Sequence, residues 1–138
     1  MENTKIYRIE TQSGEGMYTS GIVRDLNLPL YQITAPDSFG PGRHPLPFYD
    51  TKLVAEGRKL DLFYGRYDMI RSEWVKFGFG SINQLRNWIY NDDWLIKLHA
   101  AGLRLCIYEG AVAVGNTQAI IDVRTMVKIE ELSLLTLL

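Results

Sequence analysis

The sequence predicts an α+β fold in a single compact domain, with a mostly antiparallel sheet packed against a pair of consecutive helices. Three stretches carry this reading. Phe77-Gly-Phe-Gly80 leads into two helical segments that each have a capping residue. Leu103–Tyr108 is an apolar run of strand length, and Ala111–Arg124 reads as two strands about a Gly115-Asn116 turn. The chain has 138 residues, which fits one domain able to bury a core without disulfide or metal support.

The elements follow in order. Lys5-Ile-Tyr-Arg-Ile-Glu10 alternates with period two and is expected to be a strand, and Thr11–Gly16 a glycine-bearing turn. Leu28–Thr34 fits a short extended piece, with Pro29 placing it at a sheet edge. All five prolines fall between Pro29 and Pro47, so residues 34–50 are expected to form a long Pro/Gly-rich loop. Thr51–Lys59 fits a short helix with Thr51 as its N-cap. Leu60–Trp74 is dense in aromatic and arginine residues, and its pattern does not choose between helix and strand. Tyr64-Gly-Arg-Tyr67 reads either as a bend between extended pieces or as part of a ligand wall.

Beyond residue 77 the signals are local and clear. Ser81-Ile-Asn-Gln84 fits a capping box, and Ile82, Leu85, Trp88 and Ile89 share one helical face. Asn91 or Asp92 is placed to cap a second helix, whose core side carries Trp94, Leu95 and Leu98. Lys97 and His99 suit its last turn, and Gly102 the left-handed position after it. Lys128–Leu138 is rich in leucine and is expected to bury itself, against its own domain or in a homodimer interface.

Composition and spacing exclude several functions. Fifteen basic and sixteen acidic residues leave a net charge of −1, which argues against general nucleic-acid binding. No apolar run reaches the length of a membrane span and the N-terminus lacks a signal-peptide pattern, so a cytoplasmic protein is expected. The single cysteine, Cys106, reads as a buried small hydrophobe. His44 and His99 have no acidic partner at ligand spacing, so no metal site is expected. Gly78-Phe-Gly80 resembles a phosphate cradle, but Asn83 stands where the dinucleotide pattern needs a third glycine. Asn91-Asp-Asp93 fits helix capping better than paired acid–base chemistry, and no Gly-x-Ser-x-Gly elbow occurs. No catalytic residue and no cofactor are therefore assigned.

What remains is a binding surface. Arg43, His44, Phe48, Tyr49, Arg66 and Tyr67 combine aromatic anchors with arginines, the residue types favoured at the centres of protein interfaces. A nucleotide-capturing variant would stack a base on the aromatics and hold phosphate with Arg24, Arg43 or Arg66. Arg8 and Arg24 are the residues assigned to a small ligand.

Several short motifs also go together: Tyr7-Arg-Ile-Glu10, Gly14-Glu-Gly-Met-Tyr18, His44-Pro-Leu-Pro47 with Asp50, Phe77-Gly-Phe-Gly-Ser81 with Gln84-Leu85 and Trp88, then Leu98-His99, Gly102, Tyr108, Gly115 and Gln118. Up to about Asp122 this set resembles a group of small proteins encoded by bacteriophages and prophages, which brings no activity to carry over. The resemblance implies an accessory role inside a bacterial cell: binding and inhibiting a host factor, such as a defence component, or sequestering its signal nucleotide. An alternative resemblance is to ADP-ribosyltransferases, in which Tyr7-Arg8 and Tyr18-Thr-Ser20 would hold NAD. Glu109, Asp122 and Glu130 would be the acidic candidates, though none lies in the Glu-x-Glu or Gln-x-Glu pattern of that family.

Overall fold

A computed structural model describes residues 4–17, 21, 25–26, 47, 50–64 and 69–138. Strand β1 is Lys5–Glu10, helix α1 Thr51–Lys59, β2 Phe63–Tyr64, β3 Met69–Ile70 and β4 Val75–Gly78. Helices α2 (Ile82–Trp88) and α3 (Asp92–Ala100) follow, then β5 (Arg104–Glu109), β6 (Val112–Val114), β7 (Ala119–Asp122) and β8 (Val127–Ser133). Single 3-10 turns cover Ser72–Trp74, Val123–Thr125 and Leu134–Leu137.

The strands make two antiparallel three-stranded sheets, ordered β1-β5-β8 and β4-β7-β6, and the small β2-β3 ribbon. The two sheets are stitched together where β4 ends: Tyr7 and Phe79 exchange both backbone hydrogen bonds, at 2.8 and 2.9 Å. The expected α+β architecture is the one observed.

Three packed clusters hold the layers. One face of β1-β5-β8 gives Ile9, Leu105 and Ile107 to a core shared with Leu85, Trp88 and Ile89 near α2 and Leu95 and Leu98 of α3. The second sheet packs Val75, Ala113 and Ile120 against Leu53 and Val54 of α1 and against Leu62 and Phe63. Between the sheets lie Ile6, Cys106, Tyr108, Ala119 and Ile121.

Most local signals act as read. Ser81 caps α2 by accepting from the Gln84 amide at 3.1 Å, but the Gln84 side chain takes the Gly80 amide at 2.8 Å rather than that of Ser81. Asn91 caps α3 through the Asp93 amide at 2.8 Å. Gly102 adopts φ +96°, and the amides of Gly102 and Leu103 donate to the carbonyls of His99 and Leu98, which closes the helix with a Schellman pair.

Other expectations are corrected. The N-cap of α1 is Asp50, with Thr51 already helical, because the buried Asp50 carboxylate accepts from the Leu53 amide at 3.1 Å. Ile82 faces outward, since a helix of only two turns presents one narrow stripe to the core. The hairpin turn runs from Gly115 to Gln118, closed by a 2.8 Å amide–carbonyl bond, so β7 starts at Ala119. The undecided stretch after α1 holds the paired strands β2 and β3 and a 3-10 turn, while most of Tyr64-Gly-Arg-Tyr67, read as a bend or a ligand wall, lies outside the described residues. The tail forms β8 and then a 3-10 turn that buries Leu134 on its own domain. The extended piece expected at Leu28–Thr34 and nearly all of the Pro/Gly-rich loop lie outside the described residues. Among the described residues no helix is long and apolar enough to cross a membrane.

Candidate functional site

Two polar constellations stand out among the described residues, one exposed and one buried. The exposed one is assembled by strand pairing. Antiparallel pairing of Phe63 with Ile70 and Tyr64 with Met69 brings Arg71 back beside the end of α1, where its amide donates to the Leu62 carbonyl at 2.9 Å. Asp61 there takes the left-handed conformation, φ +59°, a region that Asp tolerates better than most residues. Its carbonyl accepts from Arg71 Nε at 3.0 Å and its carboxylate from Nη2 at 3.4 Å.

Held in this way, the Arg71 guanidinium lies 4.8 Å from the ring centres of both Tyr64 and Trp74. Pairing of Val75 with Asp122 then brings the end of β7 alongside Trp74. Arg124 sits with its guanidinium carbon 3.9 Å from the Trp74 ring centre, a close cation–π contact. Its Nε and Nη2 both donate to the Asp122 carboxylate at 2.9 Å. Those hydrogen bonds lower the Asp122 pKa despite partial burial, and the nearby Arg124 charge acts in the same direction. The result is an aromatic–guanidinium patch in which Tyr64 and Arg124 are exposed and Arg71 and Trp74 half-buried, with Trp74 backed by the second core cluster and the charges balanced by Asp61 and Asp122.

The buried constellation lies on the side of β1-β5-β8 away from α2 and α3. Cross-strand partners share a face, so Arg8, Cys106 and Glu131 line up across the three strands, as do Ile6, Tyr108 and Lys128. Glu10 is fully buried and accepts from Arg8 Nε at 2.7 Å and from the Tyr108 hydroxyl at 2.6 Å. Arg8 also donates to the Phe77 carbonyl, which ties β1 to β4. Burial would raise the Glu10 pKa, but the hydrogen bonds from Tyr108 and Arg8 and the Arg8 charge prevail and hold it lowered. Burial and the neighbouring Glu10 push the Tyr108 hydroxyl up and the Cys106 thiol up to about 12. Near neutral pH this leaves a charged carboxylate, a protonated phenol and an inert thiol. Such a set braces a sheet; it offers no activated nucleophile.

In comparison with known families, a bacteriophage family, described as Bacteriophage T4 Y00F protein, matches residues 1–135. The chain belongs to this family. No curated protein and no solved structure matches it. The family match runs past Asp122, where the resemblance read from the motifs ends, through β8 and into the final turn.

For this Y00F-family chain the sequence-predicted site residues divide sharply. Arg24, Arg43, His44, Phe48, Tyr49, Arg66 and Tyr67 lie outside the described residues. Arg8 lies inside them and is 5% exposed, with its guanidinium engaged by Glu10 and the Phe77 carbonyl, where it acts as framework. Tyr64, Arg71 and Trp74 come from the same aromatic-dense segment as Arg66 and Tyr67 but are not themselves among the contacts read from the sequence. Arg124 was missed altogether, because only the β4–β7 register brings it to Trp74.

Proposed function

We propose that this phage protein acts by binding and occluding a bacterial host factor, without catalysis, through the aromatic–guanidinium patch. The observation that supports this reading is the arrangement of Arg71 over Tyr64 and Trp74, with Arg124 on the same indole, at the base of the β2–β3 ribbon. Tyrosine, tryptophan and arginine are the residue types that dominate interface hot spots. The two arginines are already held here by Asp61 and Asp122, so less of their rotamer freedom is lost on docking. The segment joining β2 to β3 carries Arg66 and Tyr67, which lie outside the described residues and which the reading takes as contacts of the same surface. Arg43, His44, Phe48 and Tyr49 are its further contacts.

The test is affinity capture from nuclease-treated bacterial lysate. One stoichiometric host protein should be retained by the wild-type chain and lost with Trp74→Ala and with Arg66→Ala/Tyr67→Ala. Retention unchanged in both variants would refute the patch. An empty column, together with nucleotide binding measured by calorimetry, would replace the host protein with a signal nucleotide as the ligand.

A further inference from the structure

We infer that β8 is a self-association edge, on which a second copy of this chain pairs antiparallel about a two-fold axis between Ile129 and Glu130. Among the described residues strand β8 is bonded to β5 on one side only, and all of Val127–Glu131 are exposed. It is a seven-residue edge strand without proline, carrying Val127 at 61% and Ile129 at 44% exposure. Edges of this kind are templates for another strand.

The bulge decides which strand fits. Ile107 pairs with Glu130 and Tyr108 with Lys128, so Ile129 is the extra residue. A bulge normally puts an edge out of step with an incoming regular strand and so protects it. Two copies of the same bulge, brought together about a two-fold axis at their own centre, are in step with each other. That axis sets Lys128 opposite Glu131 twice, Val127 opposite Leu132 twice, and Ile129 opposite Glu130 twice.

The facing is consistent. Lys128 pairs with Tyr108 and Glu131 with Cys106, residues on one face of β5, so Lys128 and Glu131 share a face only because of the bulge. Within one copy they already lie 3.3 Å apart. Across the axis they would form an alternating four-charge cluster, while Val127 and Leu132 meet on the opposite face. Opposite charges directly across an antiparallel pair stabilise it, and like charges in the same places oppose it. A regular strand from another protein offers neither the matching bulge nor this charge order.

Sedimentation equilibrium of the full chain across the micromolar range tests the inference. The wild type should approach twice the 15.8 kDa monomer mass. Lys128→Glu and Glu131→Lys should each weaken dimerisation by at least about tenfold, and the double exchange should recover it. Amide exchange over 127–133 should slow as concentration rises, which also checks the register in chains that keep their fold. A wild-type monomer at every concentration overturns the proposal, as does a dimer indifferent to both charge reversals. Loss of a captured host protein in Lys128→Glu without any change in mass would give the edge to that partner instead.

Discussion

The Asp50 carboxylate takes donors from two distant parts of the chain: the Leu53 amide at the start of α1, and the amides of Asn116 and Thr117 with the Thr117 hydroxyl in the β6–β7 turn. All four bonds are 2.8–3.1 Å long and the residue is fully buried. Removing a charged acceptor leaves these donors without a partner, and each such bond contributes about 1.5–3 kcal/mol. Asp50→Ala should therefore cost about 3 kcal/mol or more in urea unfolding, whereas Asp50→Asn, which keeps one acceptor oxygen, should cost clearly less. Equal losses would mean that the charge and the second acceptor oxygen, which Asn lacks, carry the whole effect. Glu10 gives a pH-dependent counterpart. Its lowered pKa means the folded chain holds the carboxylate more readily than the unfolded one. The stabilisation is complete above the ordinary value of 4.5 and is lost as pH falls through the folded value. Glu10→Gln should lower the thermal midpoint at neutral pH and flatten its decline on acidification; an unchanged acid slope would remove Glu10 from that role.

At the scale of elements, legibility in the sequence follows how local the determinants are. Helices α2 and α3 were readable because Ser81, Asn91 and Gly102 act within a turn of their own position. Strands β2 and β3 were not, because two-residue strands are defined by each other, and β8 was hidden by a tail whose leucines dominate its pattern. The candidate patch was half legible for the same reason: Tyr64, Arg71 and Trp74 are neighbours in sequence, while Arg124 arrives by sheet register. Burial is harder still to read, as Arg8 shows, because alternation does not reveal that a second sheet is stitched beside its strand. Helix α1 carries a case where local propensity misleads. Gly57 in its interior invites replacement by alanine, which gains about 1 kcal/mol of helix propensity. A Cβ there would stand 2.5 and 2.6 Å from ring carbons of Phe63, which is itself buried. Overpacking of this kind costs about 1–3 kcal/mol, so Gly57→Ala should be net destabilising in chemical denaturation. A stabilised variant would mean that Phe63 can move.

For the whole molecule, the question is whether the leucine-rich tail belongs to the fold or to an interface, and the geometry divides its residues between the two. Leu134 is fully buried in the cluster that includes Leu95, Leu98 and Leu105, with Leu132 and Leu137 packed around it. Ser133 adds a 3.3 Å contact between its hydroxyl and His99 Nδ1 at the end of α3. By contrast, Leu135 and Leu138 are exposed, at 41% and 59%. The family match runs to residue 135 and so takes in the buried leucine. Deleting the tail would therefore open the main core rather than simply expose an edge, which makes truncation a poor assay for self-association and charge reversal on β8 a better one. Leu134→Ala should destabilise the chain by about 2–5 kcal/mol, the range for a fully buried leucine, with the spread set by how far the cavity collapses. Leu138→Ala should change stability by no more than about 0.5 kcal/mol. If both cost the same in parallel urea titrations, the final turn is not anchored through Leu134, and the last residues stabilise the domain by a different contact.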